Sequence, residues 1–344
     1  MIGFRQGVNL GGWLSQCEER KTPRHFASFI TRADLDRIAG WGFDHVRLPV
    51  DADVLWEDGR GFRPEAAERV DACLAWCGEL GLGLLLDMHG LPGYNIATPL
   101  KNTLFENEEQ QILSCEIWRQ LSARYRETGD QLRFELLNEP EWPNGYAVQR
   151  FYGRLIREIR TVDENRVLVI TGNHYAHVDG LEGIRLPGDP KVICTFHYYE
   201  PNLFTNQLWG VVRGDPEAYP GAPDYPGGFP GLREYLDLHP ESAAVHGKYC
   251  WIRNDRRLME ENIRKAADFR RFTGREIYLG EFGVCYHAEA SRRCAWLEDL
   301  LSVCGEADIG WCYWTYKEMD YGLVSPEGRI ISPEVLRVLR AHLR

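Results

Sequence analysis

Two glutamates stand in short motifs that each end a run of apolar residues. Glu139 lies in the motif Asn-Glu-Pro and Glu281 lies in the motif Gly-Glu-Phe-Gly. Two carboxyl groups can cleave a glycosidic bond when one protonates the leaving oxygen and the other works from the opposite face of the sugar ring. Glu135 is a competing carboxylate, but its place within an apolar run predicts a deeper position, so Glu139 is preferred.

Six further residues of polar or aromatic type stand at the ends of similar runs. A single histidine there is more often a satisfied core group, whereas the coincidence of the whole set favours one shared site. The set comprises Arg47, His89, Asn138, His197, Tyr199 and Trp314.

Each of these six residues has a chemical role that suits a sugar site. Arg47 is always cationic and can keep Glu281 ionised, and Tyr199 can donate a hydrogen bond to the same carboxylate. Asn138 can bond the sugar 2-hydroxyl, an interaction that strengthens in the transition state. The two histidines can donate to sugar hydroxyls or orient the acid, and Trp314 can form the floor beneath the reacting ring.

Eight short apolar runs carry these residues, and they are typical of strands buried on both faces of a parallel sheet. Amphipathic segments separate most of them, which favours a closed (β/α)8 barrel with functional residues at the C-terminal strand ends. The alternative is an open doubly wound sheet, but the first run is not followed by a glycine-rich phosphate loop. The runs are Val8–Leu14, His45–Pro49, Gly83–His89, Leu132–Glu139, Val167–Gly172, Val192–Tyr199, Ile277–Gly283 and Ile309–Tyr316.

Helix signals between the runs support this alternation. Pro64 suits a first helical turn and Gly81 suits the position just past a helix end. Thr31 with Asp34 resembles a capping box. A further helix is predicted from about Arg256 to Phe272, and the last one begins at Ser332-Pro333.

The spacing between the sixth and seventh runs is too long for one helix. Residues 201–240 hold seven prolines and six glycines, so 201–253 is predicted to be an insertion at the catalytic face, without a core of its own. The whole chain, 1–344, is then a single catalytic domain. The insertion aromatics either anchor it to the barrel or contact sugar. Candidate outer sugar subsites are Trp13, Trp142, Phe204 and Trp209.

Composition indicates which kind of ligand the protein binds and in which cellular compartment it works. The net charge of −11 disfavours nucleic-acid binding and suits a neutral ligand. The ten cysteines are scattered without a C-x-x-C pair, which indicates reduced thiols in a cytoplasmic protein. The N-terminal sequence MIGFRQGVNL has no signal-peptide pattern and no run is long enough for a membrane span, although a trimmed secreted protein would look the same. A monomer is expected.

The motifs, taken together, resemble those of glycoside hydrolase family 5, in clan A. They occur in the family's order from Gly7 to Asp320, and they are most similar to clostridial-type endoglucanases without a secretion signal. The resemblance implies a retaining endo-β-glucanase that cuts β-1,4-glucan or mixed-linkage β-1,3-1,4-glucan, with Glu139 as acid/base, Glu281 as nucleophile and no metal or other cofactor. The motifs are GVNLGGWL, HVRLP, LLLDMHG, FELLNEP, FHYYEP, YLGEFG and WTYKEMD.

Five alternatives remain open at this stage. Exo-β-1,3-glucanase, β-glucosidase and β-mannanase specificities use the same scaffold, and residue types do not separate them. A metal-dependent hydrolase could use Asp87, His89 and His197, although strand one lacks the usual H-x-H ligand pair. A non-catalytic sugar-binding relative would be expected to have lost one of the two carboxylates.

Overall fold

The eight apolar runs form a closed parallel barrel, as expected, with each strand hydrogen-bonded to two neighbours. The structure is a computed structural model that describes residues 4–17, 20–215 and 217–344; Met1–Gly3, part of the N-terminal sequence interpreted above, lie outside the described residues. The strands are β1 (Gln6–Asn9), β2 (His45–Asp51), β3 (Gly83–Gly90), β4 (Leu132–Glu135), β5 (Leu168–Thr171), β6 (Val192–Tyr198), β7 (Ile277–Phe282) and β8 (Gly310–Tyr313).

Three predicted strands are too long at their C-terminal ends. β1 ends at Asn9, β4 ends at Glu135 and β8 ends at Tyr313. The residues that follow remain apolar and buried because they pack across the mouth of the barrel, and burial alone does not separate such loops from strands. Glu139 and Trp314 therefore lie just beyond their strands, and Glu135 is the last residue of β4.

Helices of ordinary length surround the barrel in most βα units. The fifth unit is an exception, with a 3₁₀ segment at Val178–Gly183 between β5 and β6. The barrel helices are α1 (Arg32–Trp41), α2 (Pro64–Leu80), α3 (Glu108–Tyr125), α4 (Gly145–Arg160), α5 (Arg256–Thr273), α6 (Ala290–Glu306) and α7 (Pro333–Ala341).

Local sequence signals set the ends of these helices. Thr31 and Asp34 form the predicted capping box at the start of α1. Pro64 occupies the first turn of α2, and Gly81 ends it with a φ of 70°, a left-handed conformation that favours glycine. The predictions for α5 and α7 are also confirmed.

The segment after β6 folds into short helices at the C-terminal end of the barrel strands before α5 begins. Phe204 and Tyr225 pack into the main barrel core, which anchors the segment. A second apolar cluster lies within the segment itself, so the expectation that it lacks a core was wrong. That cluster contains Tyr219, Leu232, Tyr235 and Tyr249.

Eight of the ten cysteines are buried, as expected of core thiols, and the other two are partly exposed. Cys73 and Cys77 share one buried face of α2, and Cys194 and Cys312 are buried in barrel strands. Among the described residues, no helix combines the length and apolarity that crossing a membrane requires.

Candidate active site

Arg47 lies at the centre of the barrel and organises the buried charges. Its guanidinium donates to Glu135 through two hydrogen bonds of 2.8 Å and to Glu281 through one of 2.5 Å. Asp87 lies 3.1 Å from the same group. Three carboxylates thus surround one permanent cation, and a guanidinium suits this task because its donors are rigid and its charge is fixed.

Glu281 receives further donors from the mouth of the barrel. The hydroxyl of Tyr199 donates to its Oε2 at 3.1 Å, while its Oε1 accepts from Arg47. The guanidinium nitrogen of Arg47 that donates to Glu281 also donates to the side-chain oxygen of Asn9 at 2.9 Å, which helps to fix its position. These contacts favour the ionised form of the Glu281 carboxyl group.

Glu139 approaches the same space from the loop after β4. Its backbone adopts a φ of 42°, which is uncommon outside glycine and is often found at functional sites. The hydroxyl of Tyr94 donates to the Glu139 carbonyl at 2.5 Å and accepts from the Glu141 N–H at 3.0 Å. This pair of bonds holds the loop in its left-handed conformation.

His197 lies between the two glutamates. Its Nδ1 is 2.7 Å from Glu139 Oε1 and 3.6 Å from Glu281 Oε2. Carboxylate oxygens of the two glutamates lie within 4.8 Å of each other. A sugar carbon and its leaving oxygen can occupy the space between them.

Burial gives the two carboxyl groups unusual acidities. It raises the pKa of Glu139 to about 7, against the opposing effect of His89 and Arg47. Burial also raises the pKa of Glu281, which is opposed by His197 and Arg47. The pKa of His197 is lowered to about 4 by burial, so its imidazole is neutral at pH 7. Asp87, buried beside Arg47, has a pKa raised to about 7.

Two cavities meet at Glu139 and form a cleft across the mouth. One measures about 660 Å³ and includes Glu281 and Trp314 in its lining. The other measures about 510 Å³ and is lined on its far side by Tyr175 and Lys248. Glu139 and Tyr199 belong to both, so space for a ligand extends to either side of Glu139.

The remaining predicted residues lie in the larger half of this cleft. His89 is stacked on Trp314 with ring centres 5.8 Å apart, and its Nδ1 is 2.7 Å from Asp87. Asn138 accepts from Arg47 at 2.9 Å and lines the cavity beside Glu139. The structure therefore brings all eight predicted residues to one place.

The four residues predicted to form outer sugar subsites differ in where they lie. The prediction is wrong for Trp13 and Phe204, because both side chains are fully buried: Trp13 donates to the Phe26 carbonyl and Phe204 packs on Tyr225. Trp142 is half-buried against Phe105 and does not line either half of the cleft. Trp209 is 39% exposed and lines the larger half, where its Nε1 donates to Asp320 at 2.7 Å.

Several residues of the site were not predicted from the sequence. Glu135 and Asp87 were considered only as a competing carboxylate and as a possible metal ligand, whereas both lie against Arg47; the signal for this pairing was a charged residue inside an otherwise apolar run. Tyr94 and Tyr286, by contrast, lie on loops whose course the sequence did not indicate. His174 and Tyr175 line the smaller half of the cleft.

Glu139, His197 and Glu281 also form the kind of cluster that could hold a metal ion. The Glu281 oxygens, however, already accept from Arg47 and Tyr199. The positive charge that a metal would supply is thus present as a guanidinium. A (β/α)8 barrel with two facing carboxyl groups in an open cleft defines the class of glycoside hydrolases.

Comparisons with known proteins identify the family within this class. The family model "Cellulase (glycosyl hydrolase family 5)" matches residues 10–320. Endoglucanase C of Acetivibrio thermocellus is 34% identical over 98% of this chain and 98% of its own length. Cellodextrinase A of Ruminococcus flavefaciens is 28% identical over 88% of this chain and 82% of its own. The chain belongs to glycosyl hydrolase family 5.

A solved structure gives the same fold. Endoglucanase Cel5A of Thermotoga maritima aligns with a TM-score of 0.76 at 21% identity, over 98% of this chain and 97% of that one. The predictions of a (β/α)8 barrel and of a cellulase-type hydrolase are confirmed. Full-length similarity to an endoglucanase favours endo-β-glucanase activity over the exo-β-1,3-glucanase, β-glucosidase and β-mannanase alternatives.

Proposed function

We propose that this protein is a retaining endo-β-glucanase that cleaves β-1,4-glucan or mixed-linkage glucan with Glu139 as acid/base and Glu281 as nucleophile. The observation that carries the proposal is the proximity of the two carboxyl groups: an oxygen of one lies within 4.8 Å of an oxygen of the other. Retaining glycosidases hold these groups about 5–5.5 Å apart, whereas inverting enzymes leave about 6.5–9.5 Å for a water molecule.

The first chemical step forms a bond between Glu281 and the anomeric carbon. Arg47 and Tyr199 keep the attacking carboxylate ionised and oriented through the hydrogen bonds described above. Glu139 holds the proton that the leaving oxygen requires, since burial raises its pKa to about 7. The two roles follow from the different partners of the two carboxyl groups.

The second step releases the sugar to water. Glu139, now ionised, removes a proton from the attacking water, and the bond to Glu281 breaks with overall retention of configuration. His197 remains neutral through both steps because its pKa is about 4. Its Nδ1 at 2.7 Å can accept a hydrogen bond from protonated Glu139 or donate one to the ionised form, depending on the imidazole tautomer.

The shape of the cleft supports cleavage within a chain. Glu281 lines only the larger half, so the ring that becomes covalently bound occupies that half above Trp314. The leaving part of the chain then occupies the smaller half beside Tyr175. Because both halves can hold sugar, the cleft suits internal bonds better than a pocket closed at one end.

One experiment tests reaction and specificity together. Cellopentaose, laminaripentaose, mannopentaose and mixed-linkage glucan are digested in parallel, and products are followed from the first turnovers by NMR and chromatography. We expect internal cleavage of the β-1,4-linked and mixed-linkage substrates with the β-anomer formed first. Initial α-anomer would exclude double displacement, and activity confined to laminaripentaose would exclude the proposed specificity.

Compartment and assembly remain predictions. Buried thiols such as Cys194, Cys304 and Cys312 support a protein that works in a reducing environment. We therefore infer action on short soluble glucans by a monomer in the cytoplasm. Light scattering of the purified protein and fractionation of the native cells test the two parts separately.

A further inference from the structure

A third cavity opens between the loops that follow β2 and β3, with a volume of about 390 Å³. Its described lining residues differ from those of both halves of the catalytic cleft. This volume falls within the range of small-molecule sites. We call it the β2–β3 cavity; its lining includes Asp51, Trp56, Gly90, Tyr94 and Asn102.

Two hydrogen-bond donors in the lining have no partner among the described residues. Asn102 is only 7% exposed, and its Oδ1 accepts from the Asn95 N–H at 2.8 Å while its Nδ2 is unpaired. The indole N–H of Trp56 is likewise buried and unpaired. An unpaired buried donor has lost its hydrogen bonds to water without replacement, so both groups suit a ligand that brings acceptors.

A buried carboxyl group supplies the matching acceptor. Asp51 is 4% exposed, and among the described residues its carboxyl group accepts one hydrogen bond, at Oδ2, from the N–H of Gln16 at 3.0 Å. A Cβ atom at Gly90 would lie 3.0 Å from the other oxygen, Oδ1. Glycine at this position therefore leaves room beside that oxygen.

The chemistry of the lining selects among ligand classes. Three aspartates, at positions 51, 53 and 58, outnumber Lys101 in the lining, which disfavours an anion. These aspartates do not converge as a metal site among the described residues. Amide and indole donors, a carboxylate acceptor and the flat ring of Trp56 instead match the hydroxyls and C–H face of a sugar.

We propose that the β2–β3 cavity binds a short β-glucan saccharide of one or two rings, separately from the catalytic cleft. The identity of the saccharide rests on the proposed function; the presence of a site does not. Tyr94 forms the shared wall, because it lines this cavity and its hydroxyl holds the backbone at Glu139 and Glu141. A sugar bound here lies against the residue that fixes the loop of the catalytic acid.

Fluorine NMR of protein labelled with 5-fluorotryptophan tests this at Trp56 itself. The Trp56 signal is assigned by its loss in Trp56→Phe, and cellobiose is titrated into free protein and into protein trapped at Glu281 with a 2-fluoro cellobioside. We expect a saturable shift of the Trp56 signal in both. No shift, or a shift abolished by trapping, would overturn the proposal, the latter because the cavity would then be an outer part of the cleft.

Asn102→Asp is the decisive variant because it keeps the acceptor for Asn95 and replaces the unpaired donor by a second acceptor. We expect about tenfold weaker binding at Trp56, with unchanged Tm and unchanged turnover of an aryl cellobioside. Asn165→Asp makes the same chemical change at an exposed position and is the matched control. Equal binding by Asn102→Asp and wild type would refute the site.

Failure of the trap to label Glu281 would instead count against the proposed mechanism, since the free-protein titration is scored independently.

Discussion

His197 Nδ1 lies 2.7 Å from Glu139 Oε1, and the pKa values of the two groups are shifted in opposite directions. The pKa of His197 is lowered to about 4 and that of Glu139 is raised to about 7, both mainly by burial. Between these values the imidazole is neutral while the carboxyl group is protonated. In the proposed role of catalytic acid, Glu139 therefore carries its proton below about pH 7.

A pH profile tests this assignment. For a substrate with a poor leaving group, kcat/KM should fall as the pH rises above about 7, because Glu139 must carry its proton to act as an acid. An aryl glycoside with a good leaving group should show a weaker alkaline fall. A flat profile to pH 9 on natural glucan would contradict the role of Glu139.

Removing the acid gives a second prediction. Glu139→Ala should lower kcat on cellopentaose by about 10²–10⁴-fold, with a smaller loss on activated aryl glycosides. Added azide should restore turnover of the aryl substrate by replacing the activated water. Glu141→Ala, two residues along the same loop, is the matched control and should remain active; near-normal activity of Glu139→Ala would show that another group donates the proton.

The nucleophile can be identified directly. A 2-fluoro cellobioside with a good leaving group should inactivate the enzyme and leave one label on Glu281, which mass spectrometry of peptides would locate. Excess cellobiose should slow the inactivation by competing for the cleft. Recovery of the label on Glu139 or Glu135 would overturn the assignment.

Stability should also depend on Glu139. Its folded pKa of about 7 exceeds the ordinary value of 4.5, so its stabilising contribution is complete below about pH 4.5 and is lost as the pH rises through about 7. Glu139→Gln removes that dependence, and its Tm relative to wild type should be higher at pH 8 than at pH 5. The exposed Glu261→Gln should show no such difference; if Glu139→Gln also shows none, the carboxyl group is not poised as described.

Variants of two aromatic residues in the insertion can distinguish a role in sugar contact from a role in anchoring the insertion to the barrel. Trp209→Ala should lower kcat/KM on cellopentaose by about five- to thirtyfold through KM, while Tm and aryl glycoside turnover change little. Phe204→Ala should cost about 3–5 kcal/mol of stability, since the ring is fully buried, and should affect all substrates alike. The same pattern for both variants would assign Trp209 to the anchor.

Much of this site was predictable because a parallel barrel directs every strand to the same face. Once His89, His197 and Glu281 were placed at strand ends, the fold required them to meet. Glu139 shows the limit of this argument: it lies four residues beyond β4, and its left-handed backbone depends on Tyr94, which is remote in sequence.

Other features depend on packing that residue types do not encode. Trp13 follows the first strand at a position where an exposed ring could stack on sugar. Its side chain instead points into the core, where it donates to the Phe26 carbonyl. Phe204 and Trp209 are only five residues apart, but each belongs to a different short helix, and one ring enters the core while the other lines the cleft. The pairing of Glu135 with Arg47 was not predicted, because the partner of a buried charge can come from any strand of the barrel.

Arg47 contacts three carboxylates, and this arrangement affects whether a variant of the protein could join glucan chains as well as hydrolyse them. If Glu281 is replaced by glycine, Arg47 keeps Glu135 and Asp87, so no buried cation loses its last counter-charge. The vacated volume can accept the departing fluoride of an α-glycosyl fluoride, while Glu139 removes the proton from an incoming sugar hydroxyl. If Glu281 is the nucleophile, as proposed, the glycine variant of this barrel is suited to joining glucan chains that it can no longer cut.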